Sequence, residues 1–129
     1  MLLAPAAALF GLALAHAQTE AVRFYGPLSR VVTPNGDHIN DQAFFCFENP
    51  QRSDISGKIY TLLGAQVASI GVQRDRTALA GAGCPSSIIQ ATYLTWDGRA
   101  DGVRVRSGVY VYRLIVEDRV FSGTLLIVR

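Results

Sequence analysis

The sequence predicts an all-β fold, an immunoglobulin-like antiparallel β-sandwich of about seven to eight strands. Beyond residue 17, short runs rich in Val, Ile, Phe, Tyr and Thr alternate with clusters of Gly, Pro, Asn and Asp. No segment there keeps the 3.6-residue apolar period of an amphipathic helix. A chain of 129 residues has room for one such domain with one core.

The strand-like runs follow one another with turn signals between them. In the run 55–63, Gly57, Ile59 and Thr61 lie on one face, and the Gly64 turn makes this run a hairpin with 67–72. In the last run both faces are apolar, so the pattern leaves its inner face unassigned. The predicted strands cover residues 22–25, 30–33, 42–48, 55–63, 67–72, 91–96, 109–116 and 120–128.

The first 17 residues differ from the rest of the chain. They contain no Asp, Glu, Lys or Arg and end in a small-x-small pattern, Ala15-His16-Ala17. This pattern predicts a secretory signal peptide cleaved after Ala17. A transmembrane anchor is the alternative, although Pro5 and Gly11 interrupt a run that is short for a spanning helix.

Cleavage would leave 18–29 as a lead-in segment and 30–129 as the immunoglobulin-like domain. We therefore expect an exported protein of the cell surface, the extracellular space or the periplasm, with no membrane span after leader removal.

Two cysteines, Cys46 and Cys84, are present, and an even count in an exported protein favours a disulfide. Such a bond would anchor the Ala-, Gly-, Ser- and Pro-rich segment 73–90 to the strand that carries Cys46. Two free buried thiols are the alternative.

A polar loop precedes the Phe-rich strand. Its oxygen-bearing side chains, Asn35, Asp37, Asn40 and Asp41, are spaced closely enough to converge on a hard cation, which makes Ca²⁺ the one candidate cofactor. The alternative is a turn in which these side chains cap their own backbone amides. The loop lacks the bidentate Glu of an EF-hand.

Two further sets of residues are candidates for binding. Asp97 and Asp101 form either a second acidic patch or two turns, since each precedes a Gly. Trp96, Tyr110 and Tyr112 form either a sugar-stacking platform for a glycan or part of the core, as their period of two within apolar strands favours.

No catalytic constellation is evident, and we expect a non-enzymatic protein. His38 is the only histidine after the leader, and a His38–Cys46 pair has no orienting partner. The cysteines and His38 lack zinc-type spacing. A net charge of +2 with scattered basic residues argues against nucleic-acid binding.

Several motifs, taken in order, resemble a known family. They are VTPNGDHIND at 32–41, KIYTLLG at 58–64, Trp96-Asp97-Gly98, SGVYVY at 107–112 and SGTLLIVR at 122–129. Together they are similar to the gliding motility-associated C-terminal domain, the type B sorting domain of type IX secretion cargo. The related immunoglobulin-like domain of the flagellar hook-capping protein shares the Trp-Asp-Gly and Gly-Val-Tyr features. His38 stands where the family usually has Gly, which predicts strain if that position is left-handed.

The resemblance implies a role in type IX-like secretion, sorting or surface assembly. The implied partner is an envelope or outer-membrane secretion or assembly protein. The alternative function is a stand-alone secreted binding module for carbohydrate or protein, stabilised by calcium.

Overall fold

The computed structural model describes residues 21–73 and 91–129, and within them it contains strands and no helix. The all-β class predicted from the sequence is therefore confirmed. In these ranges no helix is long and apolar enough to cross a membrane. The strands are β1 (Arg23–Pro27), β2 (Val31–Val32), β3 (Ala43–Glu48), β4 (Ile55–Thr61), β5 (Gln66–Gln73), β6 (Ala91–Trp96), β7 (Arg99–Ala100), β8 (Val103–Arg104), β9 (Gly108–Val116) and β10 (Arg119–Ile127).

Eight of these strands form one curled sheet in the order β1-β3-β6-β5-β4-β9-β10-β2, and β7 and β8 form a small separate hairpin. Strand β5 changes partner along its length: residues 66–71 pair with β4, whereas Val72 and Gln73 pair with β6. The change of partner lets the sheet fold over into two facing layers, β1-β3-β6 and β4-β9-β10-β2. All pairings are antiparallel except the parallel pairing of β2 with β10.

Aromatic rings join the two layers. The Phe45 ring of β3 lies 4.8 Å from the Tyr112 ring of β9, and the Phe24 ring of β1 lies 5.3 Å from the Phe121 ring of β10. Inward-facing aliphatic residues alternate with outward-facing ones along the strands and complete the core. In β10 the inward residues are Leu125 and Ile127, which settles the face that the sequence pattern left open.

The two edge strands of the sheet, β1 and β2, are consecutive in sequence. The Ser29 hydroxyl donates to the Val31 carbonyl (2.7 Å) and accepts from the Val31 amide (3.2 Å). In β1, Pro27 has no N–H to offer. Both edges are thus poorly suited to pairing with a strand of another chain.

The predicted strands agree with the structure to within two residues at each end. At 55–63 the prediction runs two residues too far, because the Thr61 amide donates to the Ala65 carbonyl and ends β4 at Thr61. The β7–β8 hairpin was not predicted as strands. Its two-residue tip, Asp101-Gly102, has φ values of 51° and 81°, as a type I′ turn requires.

Candidate functional site

The polar loop between β2 and β3 is organised around the carboxylate of Asp41. One oxygen, Oδ1, accepts hydrogen bonds of 3.0 Å from the backbone amides of Asn35 and Gly36. The other, Oδ2, accepts one of 2.8 Å from the amide of His38. Desolvation tends to raise the pKa of Asp41, but these three amides, together with the charge of His38, hold it below its usual value.

Two other candidate ligands of the loop form local turns. The Asn35 side-chain oxygen accepts from the Asp37 amide (3.0 Å), and an Asp37 carboxylate oxygen accepts from the Ile39 amide (2.9 Å). Asn40 contributes its backbone carbonyl, which accepts from Thr33 at 2.7 Å. The bonds of Asn35 and Asp37 are Asx turns, as expected from the alternative prediction that the loop caps its own amides.

Backbone capping and calcium binding would compete for the same oxygens. The amide bonds occupy lone pairs that a cation would need, most completely at Oδ1 of Asp41. In the described part of the chain, no group of three or more His, Cys, Asp or Glu residues is arranged to hold a metal ion. The geometry favours the capped turn, and calcium binding by Asn35, Asp37, Asn40 and Asp41 stays a prediction.

One residue of the loop, His38, stands where the resembling family usually has Gly. The φ of His38 is 66°, so this position is left-handed in this chain. Asn40 is also left-handed, with φ of 53°, and Asn and His are both among the non-Gly residue types enriched in this region. The hydrogen bond from His38 N to Asp41 is one of the interactions that hold this backbone conformation.

The aromatic candidates for sugar stacking lie in the core. Trp96, Tyr110 and Tyr112 are only 2%, 7% and 5% exposed. The Trp96 and Tyr110 rings lie 5.5 Å apart between the layers. A stacking platform needs an exposed ring face, so the prediction of such a platform is wrong for these residues and the core alternative is correct.

Tyr110 has a structural role that the sequence pattern did not reveal. Its hydroxyl donates a 2.7 Å hydrogen bond to the Arg106 carbonyl, four residues upstream and just before β9 begins. This resembles the tyrosine corner of immunoglobulin-like sandwiches. The Trp96 indole likewise donates to the Arg99 carbonyl at 3.0 Å. For Tyr112, burial raises the pKa of the phenol and the charge of Arg30 opposes the shift.

Asp97 and Asp101 lie in separate turns. A side-chain oxygen of Asp97 accepts from the Arg99 amide at 3.0 Å, and Asp101 occupies the tip of the β7–β8 hairpin. These positions match the turn alternative rather than a joint acidic patch.

Cys46 is fully buried in β3, opposite Tyr93 in β6, whereas His38 is exposed in the loop. A fully buried sulfur is inaccessible to a substrate, which weighs against a nucleophile at this position. Cys84 lies outside the described residues, so its pairing with Cys46 stays a prediction.

Two surfaces were not identified from the sequence. The first is at the end of the sandwich that carries the β2–β3 loop, the β4–β5 turn and the β7–β8 hairpin, which we call the loop end. Four exposed aliphatic side chains lie there: Ile39, Leu62, Leu63 and Val103. Leu63, in the β4–β5 turn, is 98% exposed.

The second surface is the outer face of the layer β4-β9-β10-β2. Val31, Leu126 and Val109 are opposite one another on three adjacent strands and are 41%, 40% and 40% exposed. We call these three residues the aliphatic row. On the same face Lys58 of β4 is directly opposite Arg113 of β9, and we call these two residues the basic pair.

No protein-family model matches the chain, and no curated protein matches it.

Proposed function

We propose that the protein is a non-enzymatic, exported immunoglobulin-like module that acts in type IX-like secretion and sorting or in surface assembly. The observation that carries the proposal is the concentration of exposed aliphatic side chains at the loop end and on the adjoining outer face. Exposed apolar patches are typical of sites that bind another macromolecule.

The placement of the motifs supports the resemblance on which the role rests. The VTPNGDHIND motif and the Trp-Asp-Gly motif are far apart in sequence, yet Gly98 packs against Pro34. A Cβ added to Gly98 would lie 3.4 Å from Pro34 Cγ. The KIYTLLG motif supplies the Leu62 and Leu63 tip at the same end, because Thr61 pairs with Tyr110 near the start of β9. Motif residues that meet at one place are consistent with one shared role.

The loops and the outer face are better candidates for the contact than the sheet edges. The Ser29 hydroxyl already binds the Val31 amide and carbonyl, and Pro27 removes a donor from β1. A strand added at β2 would have to break the Ser29 hydrogen bonds, and a strand added at β1 would lack one donor at Pro27. We therefore propose that an envelope or outer-membrane partner contacts side chains at this end, not backbone groups at an edge.

A fusion experiment tests the role. A periplasmic reporter enzyme with its own leader is fused ahead of residues 18–129 and expressed in a type IX-competent bacterium and in a matched strain lacking that machinery. We expect the reporter at the surface or in the medium of the first strain only. Retention inside both strains, or release from both, would contradict the role.

Matched variants connect the role to the loop end. Leu62→Ser with Leu63→Ser should reduce surface delivery, while Val120→Ser should not, since Val120 is an exposed aliphatic residue at the opposite end of β10. Far-ultraviolet circular dichroism of each purified variant verifies that the fold is intact.

The alternative, a stand-alone secreted binding module, is favoured for protein over carbohydrate. The three aromatic candidates for sugar stacking are buried, whereas the exposed side chains at the loop end are aliphatic. Release of the reporter from both strains would favour this alternative.

A further inference from the structure

The basic pair has an unusual environment on the outer face. Lys58 and Arg113 are cross-strand partners, and like charges placed directly opposite each other in a sheet are destabilising. Among the described residues, the one salt bridge joins Arg23 and Glu48, so neither member of the pair is neutralised by a carboxylate.

The residues that surround the basic pair on this face carry no charge. The same cross-strand row continues to Ser69 of β5 and Ser122 of β10. The adjacent rows contribute Ser56 with Ile115, and Tyr60 with Val111. The surface around the pair is a shallow depression lined by Ser56, Gly57, Lys58, Tyr60, Arg113 and Ile115.

The aliphatic row lies on the same face at a fixed distance. Val109, Val111 and Arg113 alternate along β9, so their side chains point to the same side of the sheet. Arg113 is four positions after Val109 along the extended strand, which is roughly 14 Å at about 3.4 Å per residue. Together the aliphatic row and the basic pair form a strip on the outer face, with an aliphatic end and a cationic end; we call it the strip.

We propose that this strip binds an extended segment of a partner protein that carries a carboxylate four residues from an aliphatic side chain. The carboxylate would neutralise Lys58 and Arg113 and accept hydrogen bonds from both, while the aliphatic side chain would cover Val109, Leu126 and Val31. A peptide suits the strip better than a sugar, since the apolar part is aliphatic. The inference rests on the proposed function, because it specifies the surface that contacts the partner.

The probe is the peptide acetyl-Val-Ser-Val-Ser-Glu-amide, whose Val and Glu side chains share one face when extended. Two matched peptides replace Glu with Gln, or both Val residues with Ser. Titration into the ¹⁵N-labelled protein should shift the amide signals of β9 and β10 around Val109 and Arg113. Each control peptide should bind roughly tenfold more weakly, as expected when an ion pair or an apolar contact is lost.

Variants of the protein provide the reciprocal test. Lys58→Gln with Arg113→Gln should weaken binding of the Glu peptide roughly tenfold. The control Arg23→Gln with Arg52→Gln removes the same charge from exposed residues of β1 and of the β3–β4 turn and should leave the affinity unchanged. Because Lys58 is the only lysine, carbodiimide coupling of the Glu peptide should modify Lys58 in the wild type and be lost in Lys58→Arg.

Several outcomes would overturn the inference. Equal weakening by both double variants would mean general attraction of anions to a basic protein. Binding of a sulfated oligosaccharide but not of the peptide would assign the strip to an anionic sugar. Shifts that depend on protein concentration without peptide would assign it to a second copy of the chain. A failed titration alongside an exported reporter would refute this surface and leave the proposed function standing.

Discussion

Tyr112 and Gly123 are cross-strand partners on β9 and β10, and the phenol ring of Tyr112 lies directly over the glycine. A Cβ built on Gly123 would lie 2.6 Å from Cζ of the ring. Glycine at this position gives the Tyr112 ring space to lie over the strand and to contact Phe45 in the opposite layer. The packing of the core thus requires a glycine in the middle of a strand.

Gly123→Ala should therefore destabilise the fold, although alanine is the better strand former, because the ring must move. We expect a loss of about 1–3 kcal/mol in the free energy of unfolding, measured by urea denaturation. Ser122→Ala, at the exposed neighbouring position, should change it by less than about 0.5 kcal/mol. Equal stability of Gly123→Ala and the wild type would show that the ring does not pack on Gly123.

Removal of the Tyr110 hydroxyl should also be costly. Tyr110→Phe keeps the ring beside Trp96 but leaves the Arg106 carbonyl without its 2.7 Å donor. The expected loss is about 1–2 kcal/mol, and Tyr25→Phe at an exposed position serves as the control. If both variants unfold at the same urea concentration, the hydrogen bond contributes nothing to stability.

The polar loop should give a pH-dependent contribution through Asp41. Its pKa is lowered in the folded protein, so the carboxylate adds stability above its ordinary value of 3.8, and that stability is lost as the pH falls through the lowered pKa. Asp41→Asn should lower Tm at pH 7, and the difference from wild type should shrink below pH 4. Asp54→Asn, at an exposed position, is the control. A difference in Tm that is constant from pH 7 to pH 2.5 would contradict this account.

The same loop permits a direct test of calcium. If Asn35, Asp37, Asn40 and Asp41 hold Ca²⁺, EDTA should lower Tm and Asp37→Ala should abolish that sensitivity. The backbone hydrogen bonds of Asp41 and Asp37 lead us to expect the same Tm with and without EDTA. A fall in Tm on adding EDTA would restore the calcium interpretation.

The predicted disulfide is tested with a reductant. If Cys46 and Cys84 are bonded, reduction should remove roughly 4 kcal/mol of stability on the chain-entropy estimate. A Cys46→Ser, Cys84→Ser double variant should start at the lower stability and show no response. A wild type that ignores the reductant would argue for two free thiols.

Much of the fold could be predicted from local sequence signals. Turn residues such as Gly64, with the period of two on either side, locate the eight predicted strands to within two residues, whereas β7 and β8 beside the Asp101-Gly102 turn were not predicted. The change of partner in β5 could not be predicted, because it depends on which strand lies beside Val72, and local patterns carry no information about neighbours.

In the candidate site, too, the local features could be predicted from the sequence and the features that depend on strand pairing could not. The Asx turns of Asn35 and Asp37 are local, and the sequence indicated them as an alternative to calcium. The basic pair joins residues 58 and 113, which become neighbours only through the β4–β9 register. One signal of an exposed apolar surface was present in the sequence: both faces of the last strand are apolar, so one of them had to point outward. Leu126 lies on that outer face.

The central proposal is an exported module, and the intact mass of the native protein after cell fractionation tests it most directly. We expect a species in the surface, medium or periplasmic fraction that begins at Gln18, two hydrogens lighter than the reduced chain. A species that retains Met1 and is confined to the cytoplasm would contradict export, and with it the proposed role in secretion or surface assembly.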